Sequence, residues 1–335
     1  MSPKLRAQDI KGVFNILPTP AIKTGSLLTA DDTVDYEATT RLVRTVVDGG
    51  ADGIMTNGTF GEAATLSFDE LERFVARVVK EVGGAIPVFG GATALGTRET
   101  IQRGRALLAL GVSGLFLGRP MWCECDDSTI VGFYTDVAEA LPDAPIIIYD
   151  NPEVFKGKIS TAVYRELAKI PGVVGSKYIG LTPVYEADVE ACGDDLTIMP
   201  LDVDWLNARR RVGDVARSVW TGSGNCGMAP LVALREAILT GDEEAALAVT
   251  ADMAHSFETF FPNGSFHDFS LYNIPLEKAR FAAAGIVDPG PPRPPYHFVP
   301  EEYLEGAREA GRRWAVLQQK YAATASAVSV SAAGK

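Results

Sequence analysis

Long apolar runs, paired cysteines and metal-binding motifs are all scarce in this sequence. No apolar run approaches the roughly 18 residues that a membrane-spanning helix needs. Residues 1–9 lack the apolar core of a secretion signal, so we expect a cytoplasmic protein. Cys123 and Cys125 lie too close for a usual disulfide, and with Cys192 and Cys226 they give no zinc-ligand spacing. We therefore expect free thiols and no metal site.

Basic residues are fewer than acidic ones in this sequence, and histidine is rare. The chain of 335 residues carries 31 lysines and arginines against 43 acidic side chains, giving a net charge of −12 and a pI near 4.8. This balance argues against nucleic acid or an anionic membrane as a partner, although a local pocket can still bind an anionic small molecule. The three histidines lie late in the chain without metal-ligand spacing, and we expect them to be structural or surface residues.

Short apolar segments recur along the first two thirds of the chain. Several are apolar throughout, as parallel strands covered by helices are, rather than alternating with polar residues. Their spacing, roughly 25–40 residues, is the size of one strand–helix unit. The eight predicted strands are Val13–Pro18, Gly53–Thr56, Pro87–Gly91, Gly114–Gly118, Pro145–Tyr149, Val173–Lys177, Thr197–Leu201 and Arg217–Thr221.

Amphipathic segments fill the gaps between these strands. A capping box at Ser67-Phe68-Asp69-Glu70 opens a predicted helix that runs through Val82. Repeated strand–helix units predict a (β/α)8 TIM barrel over residues 10–229. The rival fold, an open doubly wound sheet, is disfavoured because no Gly-x-Gly-x-x-Gly string follows the first strand. The other predicted helices of this region are Asp35–Val47, Arg98–Leu110, Thr129–Leu141 and Ala162–Ile170.

The pattern changes after about residue 230, where helices follow one another without strands. We predict a C-terminal helical extension over residues 230–321, interrupted by the proline-rich segment 289–295. Residues 322–335 are small and polar, and we predict a disordered tail. The helices predicted in the extension are Leu231–Leu239, Glu243–Phe261, Leu276–Ala284 and Pro300–Tyr321.

Lys177 ends the sixth predicted strand, directly after an apolar run. Burying an ammonium group there costs free energy. Such a lysine either extends to solvent, pairs with a carboxylate, or has a lowered pKa that lets its free amine attack a carbonyl. Strand C-termini face the active-site mouth of a barrel, and two further motifs fall at such ends, which favours a Schiff-base role.

These two motifs follow the second and fifth strands. In Gly58–Glu62, the glycines allow backbone amides and the Thr59 hydroxyl to converge on an anion, although a plain turn explains such a string equally well. In Tyr149–Pro152, the tyrosine is either a packing residue or a proton shuttle for a nearby reactive amine. With Lys177, the motifs supply a carboxylate anchor, an acid/base and a nucleophile.

The order and spacing of the three motifs resemble the dihydrodipicolinate synthase / N-acetylneuraminate lyase family of class I pyruvate lyases, over roughly residues 10–320. The resemblance implies that Lys177 forms the Schiff base and that Tyr149 relays protons. It implies that Gly58, Thr59 and Phe60 form the substrate-binding turn, in which Thr59 and the amide of Phe60 hold the pyruvate carboxylate. It also implies a homotetramer that needs no cofactor.

Departures from the family pattern indicate one branch of it. Val154 stands where the synthases have a substrate-binding arginine, Phe60 replaces a second threonine, and 119–122 lacks the tyrosine pair of the synthases. These changes resemble the hydratase-aldolases of polycyclic aromatic degradation. The same branch is indicated by the strings Asn151–Lys156, Lys177–Gly180, Tyr272–Ile274 and Arg293–Tyr296.

Three further residues are candidates for substrate binding. Trp122 either stacks on an aromatic ring of the substrate or packs in the core. Asn273, in the helical extension, positions a water or hydroxyl in the resembled branch, or is an ordinary loop residue. Arg119 either pairs with a carboxylate on the ring or lies at the surface.

The resemblance implies a substrate of the arylidene-pyruvate class. We expect hydration and retro-aldol cleavage of trans-2'-carboxybenzalpyruvate to 2-carboxybenzaldehyde and pyruvate, because Arg119 suits a ring carboxylate. The alternatives are trans-o-hydroxybenzylidenepyruvate, which gives salicylaldehyde, and another pyruvate lyase or synthase reaction of the family. A different class of function is a barrel that binds such a ligand without catalysis.

Overall fold

The computed structural model describes residues 5–333, with side chains up to residue 323. The chain forms two compact units. The first unit contains residues up to 16, 52–58 and 66–221, and the second contains 17–51, 59–65 and residues from 222 onward.

Eight parallel strands form one sheet in the first unit, in the order β7-β6-β5-β4-β3-β2-β1-β8. Leu201 bridges Trp220, whose amide donates a hydrogen bond of 3.0 Å to the carbonyl of Pro200, so the sheet closes on itself. The predicted TIM barrel is confirmed. The strands are β1 (Gly12–Ile16), β2 (Gly53–Met55), β3 (Val88–Gly91), β4 (Gly114–Leu117), β5 (Ile146–Tyr149), β6 (Val173–Lys177), β7 (Thr197–Met199) and β8 (Ser218–Thr221).

Every predicted strand is present, with ends within two residues of the predicted ones. All residues of β5, which reads Ile-Ile-Ile-Tyr, are buried. Branched side chains on both faces suit a strand that packs inward on the barrel interior and outward on helices. The continuous apolar runs therefore identified the barrel correctly.

Helices alternate with the strands and then follow the last strand. They are α1 (Tyr36–Asp48), α2 (Phe68–Val82), α3 (Thr97–Ala109), α4 (Asp127–Ala140), α5 (Thr161–Leu167), α6 (Tyr185–Cys192), α7 (Trp205–Val212), α8 (Ala229–Thr240), α9 (Glu243–Ser256), α10 (Phe266–Leu271), α11 (Asn273–Ala284) and α12 (Glu301–Ala333). Short 3-10 helices cover Ala7–Asp9, Asp202–Asp204, Gly213–Val215, Ser223–Cys226 and Pro262–Gly264.

The predicted capping box at the start of α2 is present. The Ser67 hydroxyl accepts a hydrogen bond from the amide of Glu70, and the Glu70 carboxylate accepts one from the amide of Ser67. The predicted helices did not include α6, α7 or α10, which have six to eight residues each. The predicted helix Glu243–Phe261 was too long, since α9 ends at Ser256.

In the second unit, α11 and α12 pack closely. A side chain at Gly311 of α12 would lie 2.2 Å from the carbonyl of Arg280, so only glycine allows this approach. An apolar core forms around Phe260, Phe269, Leu276, Ala307 and Ala310. Phe260, which lies after the end of α9, packs on Phe269 with ring centroids 4.9 Å apart.

The division into domains at residues 229 and 321 stays a prediction. Helix α12 ends at Ala333, inside the segment predicted as a disordered tail, and residues 334 and 335 lie outside the described residues. Between residues 5 and 333, no helix combines the length and apolar character that crossing a bilayer requires.

Gly118, just after β4, provides a test of the packing around the fifth strand. A methyl group there would lie 1.9 Å from the ring of Phe155, which is buried and contacts Tyr149 edge-on at 5.3 Å. We expect Gly118→Ala to lower the free energy of unfolding by about 1–3 kcal/mol through overpacking. Urea unfolding measures this change.

The matched control is Gly132→Ala in α4, where a methyl group meets nothing within 4 Å. There a gain of about 0.5–1 kcal/mol is expected. Equal stability of the Gly118 variant and the wild type would contradict the packing.

Candidate active site

Lys177 lies at the C-terminal end of β6, directly beside Tyr149 at the end of β5 in the register of the two strands. Its side chain is 3% exposed and lies in the barrel-forming unit. The extended backbone alternates side chains between the two faces of the sheet, which gives Lys177 and Tyr149 the same direction. The predicted nucleophile and the predicted acid/base are therefore neighbours.

Aromatic rings surround the amine of Lys177. Its Nζ lies 3.7 Å from the ring centroid of Trp220 and 4.9 Å from that of Tyr149. Among the described residues, no hydrogen bond or ion pair holds this amine. Burial lowers the pKa of Lys177 to about 7, although the nearby Asp150 carboxylate acts in the opposite direction. A large fraction of the amine is then neutral near pH 7 and can act as a nucleophile.

The Tyr149 ring is fixed by its neighbours. It stacks on Phe116 with centroids 4.7 Å apart, and the side chain of Asn151 donates to its hydroxyl at 3.4 Å. Gly58 lies against the same ring, because a methyl group at Gly58 would be 3.9 Å from a Tyr149 ring carbon. The structure thus brings Lys177, Tyr149 and Gly58 together at one end of the barrel.

A further aromatic residue of the site, Trp220, lies near the C-terminal end of β8. Its indole N–H donates to the carbonyl of Tyr178 at 2.8 Å, which holds the ring face over the amine of Lys177. The Tyr178 hydroxyl in turn donates to the buried carboxylate of Asp188 at 2.7 Å. The only signal in the sequence was an aromatic residue at a strand C-terminus, and such residues also serve as packing.

Arg119, the predicted ring-carboxylate contact, is 1% exposed, so the surface alternative is wrong. Its guanidinium donates to Asp150 at 3.0 Å and to the carbonyl of Gly157. Tyr164 also donates to Asp150. Burial raises the pKa of Asp150, while Arg119 acts to lower it. The charge of Arg119 thus already has a partner within the protein.

Trp122 is 77% exposed, so the core alternative for this residue is wrong. Its carbonyl accepts a hydrogen bond of 2.7 Å from the Nζ of Lys156. Lys156 itself is exposed and follows the Tyr149–Pro152 motif. The basic side chain of Lys156 is therefore joined to the backbone of the exposed Trp122.

Thr59, Phe60 and Asn273 belong to the second unit. Phe60 is buried and contacts Phe281 edge-on at 5.6 Å, whereas Thr59 is partly exposed. Asn273 is the first residue of α11, and its Oδ1 is buried without a hydrogen-bond partner in the described part of the chain. Across residues 5–333, no group of three or more His, Cys, Asp or Glu side chains is arranged to hold a metal ion.

Comparison with known proteins relates this geometry to a family. The sequence pattern of the Dihydrodipicolinate synthetase family matches residues 18–308. The chain is 44% identical over 326 residues to the trans-2'-carboxybenzalpyruvate hydratase-aldolase of Nocardioides sp. strain KP7, covering 96% of this chain and 98% of the relative. It is 42% identical over 322 residues to the trans-O-hydroxybenzylidenepyruvate hydratase-aldolase of Pseudomonas aeruginosa, covering 95% and 96%.

Solved structures agree with these relatives. PhdJ bound to a substrate intermediate superposes with a TM-score of 0.94 at 46% identity, covering 96% of this chain and 100% of PhdJ. Dihydrodipicolinate synthase from Aquifex aeolicus superposes with a TM-score of 0.77 at 24% identity, covering 91% and 98%, which shows the shared fold.

The contact between Trp220 and Lys177 leads to a prediction. A protonated imine at Lys177 is cationic whereas the neutral free amine is not, so the indole face stabilises the imine selectively. We expect Trp220→Leu to weaken imine formation with pyruvate about tenfold, and Trp220→Phe to weaken it about threefold. Borohydride trapping at increasing pyruvate concentrations, read by mass spectrometry, measures both. Circular dichroism checks the fold. Wild-type behaviour of a folded Trp220→Leu variant would contradict this role.

Proposed function

Because the chain belongs to the dihydrodipicolinate synthetase family and is a hydratase-aldolase of that family, we propose that its substrate is trans-2'-carboxybenzalpyruvate. Water and this substrate give 2-carboxybenzaldehyde and pyruvate. The observation that carries the chemistry is the buried amine of Lys177, whose pKa is lowered to about 7 beside Tyr149.

The reaction begins when the neutral Lys177 amine attacks the ketone carbon of the substrate. Loss of one water molecule leaves a protonated imine conjugated with the double bond and the ring. The imine withdraws electrons, so water adds at the benzylic carbon and a proton is taken up at the adjacent carbon. The aromatic faces of Trp220 and Tyr149 suit a cation at this position.

The second half of the reaction uses the same imine as an electron sink. Deprotonation of the benzylic hydroxyl breaks the adjacent carbon–carbon bond, the aldehyde departs, and the electron pair forms an enamine on Lys177. Protonation of the enamine and hydrolysis of the imine release pyruvate and the free amine. The Tyr149 hydroxyl moves protons in both halves, and Thr59 with the Phe60 amide binds the carboxylate of the pyruvate portion.

A water or hydroxyl must also be oriented during hydration. Asn273 suits this role because its buried Oδ1 lacks a hydrogen-bond partner in the described residues and is available to accept one. Trp122, with its exposed ring, is proposed to stack on the aromatic ring of the substrate. By the same family relationship, the protein is proposed to act as a homotetramer.

The ring carboxylate requires a basic side chain whose charge is not already balanced. Arg119 is paired with Asp150, whereas the ammonium group of Lys156 contacts a carbonyl and is exposed beside Trp122. Lys156 is therefore the better candidate for direct contact with the ring carboxylate, and Arg119 for orienting Asp150. Similarity to the Nocardioides relative supports the carboxylated substrate, and the Pseudomonas relative supports the hydroxylated rival, which would give salicylaldehyde.

The proposed reaction is tested by incubating the protein with each of the two substrates. Loss of the conjugated absorbance and formation of pyruvate, measured with lactate dehydrogenase, report turnover, and Lys177→Met is expected to abolish it. Trapping of pyruvate without turnover of either substrate would indicate another pyruvate lyase of the family. Failure of both turnover and trapping would indicate a binding protein.

The basic residues near Trp122 allow the ring substituent to be tested separately. We expect Lys156→Met to lower kcat/KM for the carboxylated substrate about fivefold, with less than about twofold change for the hydroxylated one. Lys80→Met, an exposed lysine of α2, is the matched control. Arg119→Leu is expected to impair both substrates and to destabilise the fold by about 3–5 kcal/mol, because Asp150 stays buried alone.

The two variants discriminate between the assignments. A selective fall in kcat/KM for the carboxylated substrate in Arg119→Leu, with no effect in Lys156→Met, would assign the contact with the ring carboxylate to Arg119. The absence of selectivity in both variants would contradict a ring carboxylate in the natural substrate.

A further inference from the structure

Glu62, the last residue of the Gly58–Glu62 motif, is the anion of a buried charge cluster in the second unit. Its side chain has no exposed surface, and two cations, Lys278 and Arg293, contact its Oε2. Its φ of +57° lies in the left-handed region, which a non-glycine residue adopts only when its surroundings hold it there. The cluster thus holds this end of the motif in an unfavourable backbone conformation.

Arg293 donates most of the hydrogen bonds in this cluster. Its amide donates to the other carboxylate oxygen of Glu62 at 2.7 Å, and its Nε donates to the Thr33 hydroxyl at 2.7 Å. The guanidinium also donates to the carbonyls of Thr19, Pro20 and Thr33, at 3.1, 3.3 and 3.2 Å. One planar cation therefore ties the Glu62 carboxylate to two other segments of the chain.

These bonds extend to the turn that carries the proposed carboxylate anchor. The amide of Glu62 donates to the carbonyl of Thr59 at 2.9 Å, which closes the turn. The Thr19 hydroxyl donates to the carbonyl of Gly61 at 2.8 Å. Thr59 and Phe60 thus lie in a turn whose far end is fixed by Arg293 and by a residue that Arg293 itself contacts.

Lys278 also pairs with the Glu62 carboxylate, but it does not bond to the segments at Thr19–Pro20 and Thr33 that Arg293 contacts. Its Nζ contacts Glu62 at 2.6 Å and the carbonyl of Pro291 at 2.9 Å, within the helical and proline-rich segments. Because two cations face one carboxylate, removing either one leaves a balanced ion pair. Replacing the Arg293 side chain also removes its hydrogen bonds to three carbonyls, of which that of Thr19 loses its donor while those of Pro20 and Thr33 still accept from backbone amides. Replacing Lys278 leaves all of these bonds in place. The two residues therefore form a matched pair for experiment.

We propose that Arg293 is a positioning residue for substrate binding: through Glu62 it sets the Thr59–Glu62 turn so that Thr59 and the Phe60 amide bind the carboxylate of the 2-oxo acid. This inference rests on the proposed function, which makes that turn the carboxylate anchor. Arg293 itself contacts no substrate. It acts through the turn and leaves the amine chemistry of Lys177 unchanged.

The expected effect is on binding and not on the chemical steps. The pyruvate carboxylate is bound equally before and during bond cleavage, so a displaced anchor raises KM and leaves kcat nearly unchanged. We expect Arg293→Met to raise KM about tenfold with less than about threefold change in kcat. Arg293→Lys, which keeps the charge but not the planar set of donors, should recover only part of the loss. Lys278→Met should leave KM within about twofold of the wild type.

A ratio of two ketones separates this role from a general loss of structure. Pyruvate carries the carboxylate and acetone does not, and both form an imine that borohydride reduces. The wild type should trap pyruvate far more efficiently than acetone at Lys177. In Arg293→Met the pyruvate-to-acetone ratio should fall about tenfold, while in Lys278→Met it should stay the same. Partial unfolding lowers both ketones together and does not change the ratio.

The possible outcomes are distinct. An unchanged ratio in a folded Arg293→Met variant overturns the positioning role, as does an equal fall in both variants. If Arg293→Met does not fold, Thr33→Val, which removes one acceptor of the guanidinium, carries the same test, with an expected fall of about twofold and refutation by an unchanged ratio. Failure of the wild type to trap pyruvate would instead contradict the proposed function.

Discussion

The site depends on one buried amine at the end of a closed barrel, with no carboxylate of the described residues at contact distance. Lys177 is 3% exposed and faces the rings of Trp220 and Tyr149, and Asp150 acts on it through the field and not through a contact. Desolvation of a charge that has no partner favours the neutral form, which is the nucleophile. The chemistry assigned to the site follows from this burial.

The other buried cations of the described residues differ from Lys177 because each is paired with a carboxylate. Arg119 is paired with Asp150, Arg280 with Glu277, and Arg293 and Lys278 share Glu62, so each has a carboxylate at contact distance. Paired charges of this kind fix side chains and loops in place, and they lose reactivity in return. The contrast with Lys177, which has no carboxylate at contact distance among the described residues, supports the proposal that this amine is the nucleophile while the paired cations hold the framework.

The sequence predicted the barrel well because buried parallel strands give continuous apolar runs, such as the isoleucines of β5. It also placed Lys177 and Tyr149 correctly, since strand C-termini meet at one end of a barrel. It did not reveal that Trp220 covers the amine or that Arg119 is buried against Asp150. Those features depend on which distant side chains meet across the fold, and no local period or spacing records such meetings.

The central claim is that burial lowers the pKa of the Lys177 amine to about 7, so that a large fraction of it is neutral near pH 7. An NMR titration tests this most directly. Lysine labelled with carbon-13 at the carbon next to the amine reports the ionisation of each side chain, and Lys177→Met assigns the signal. The account predicts one lysine signal that titrates with a midpoint of about 7, absent from the variant. A Lys177 signal that titrates near 10, with the exposed lysines, would contradict it.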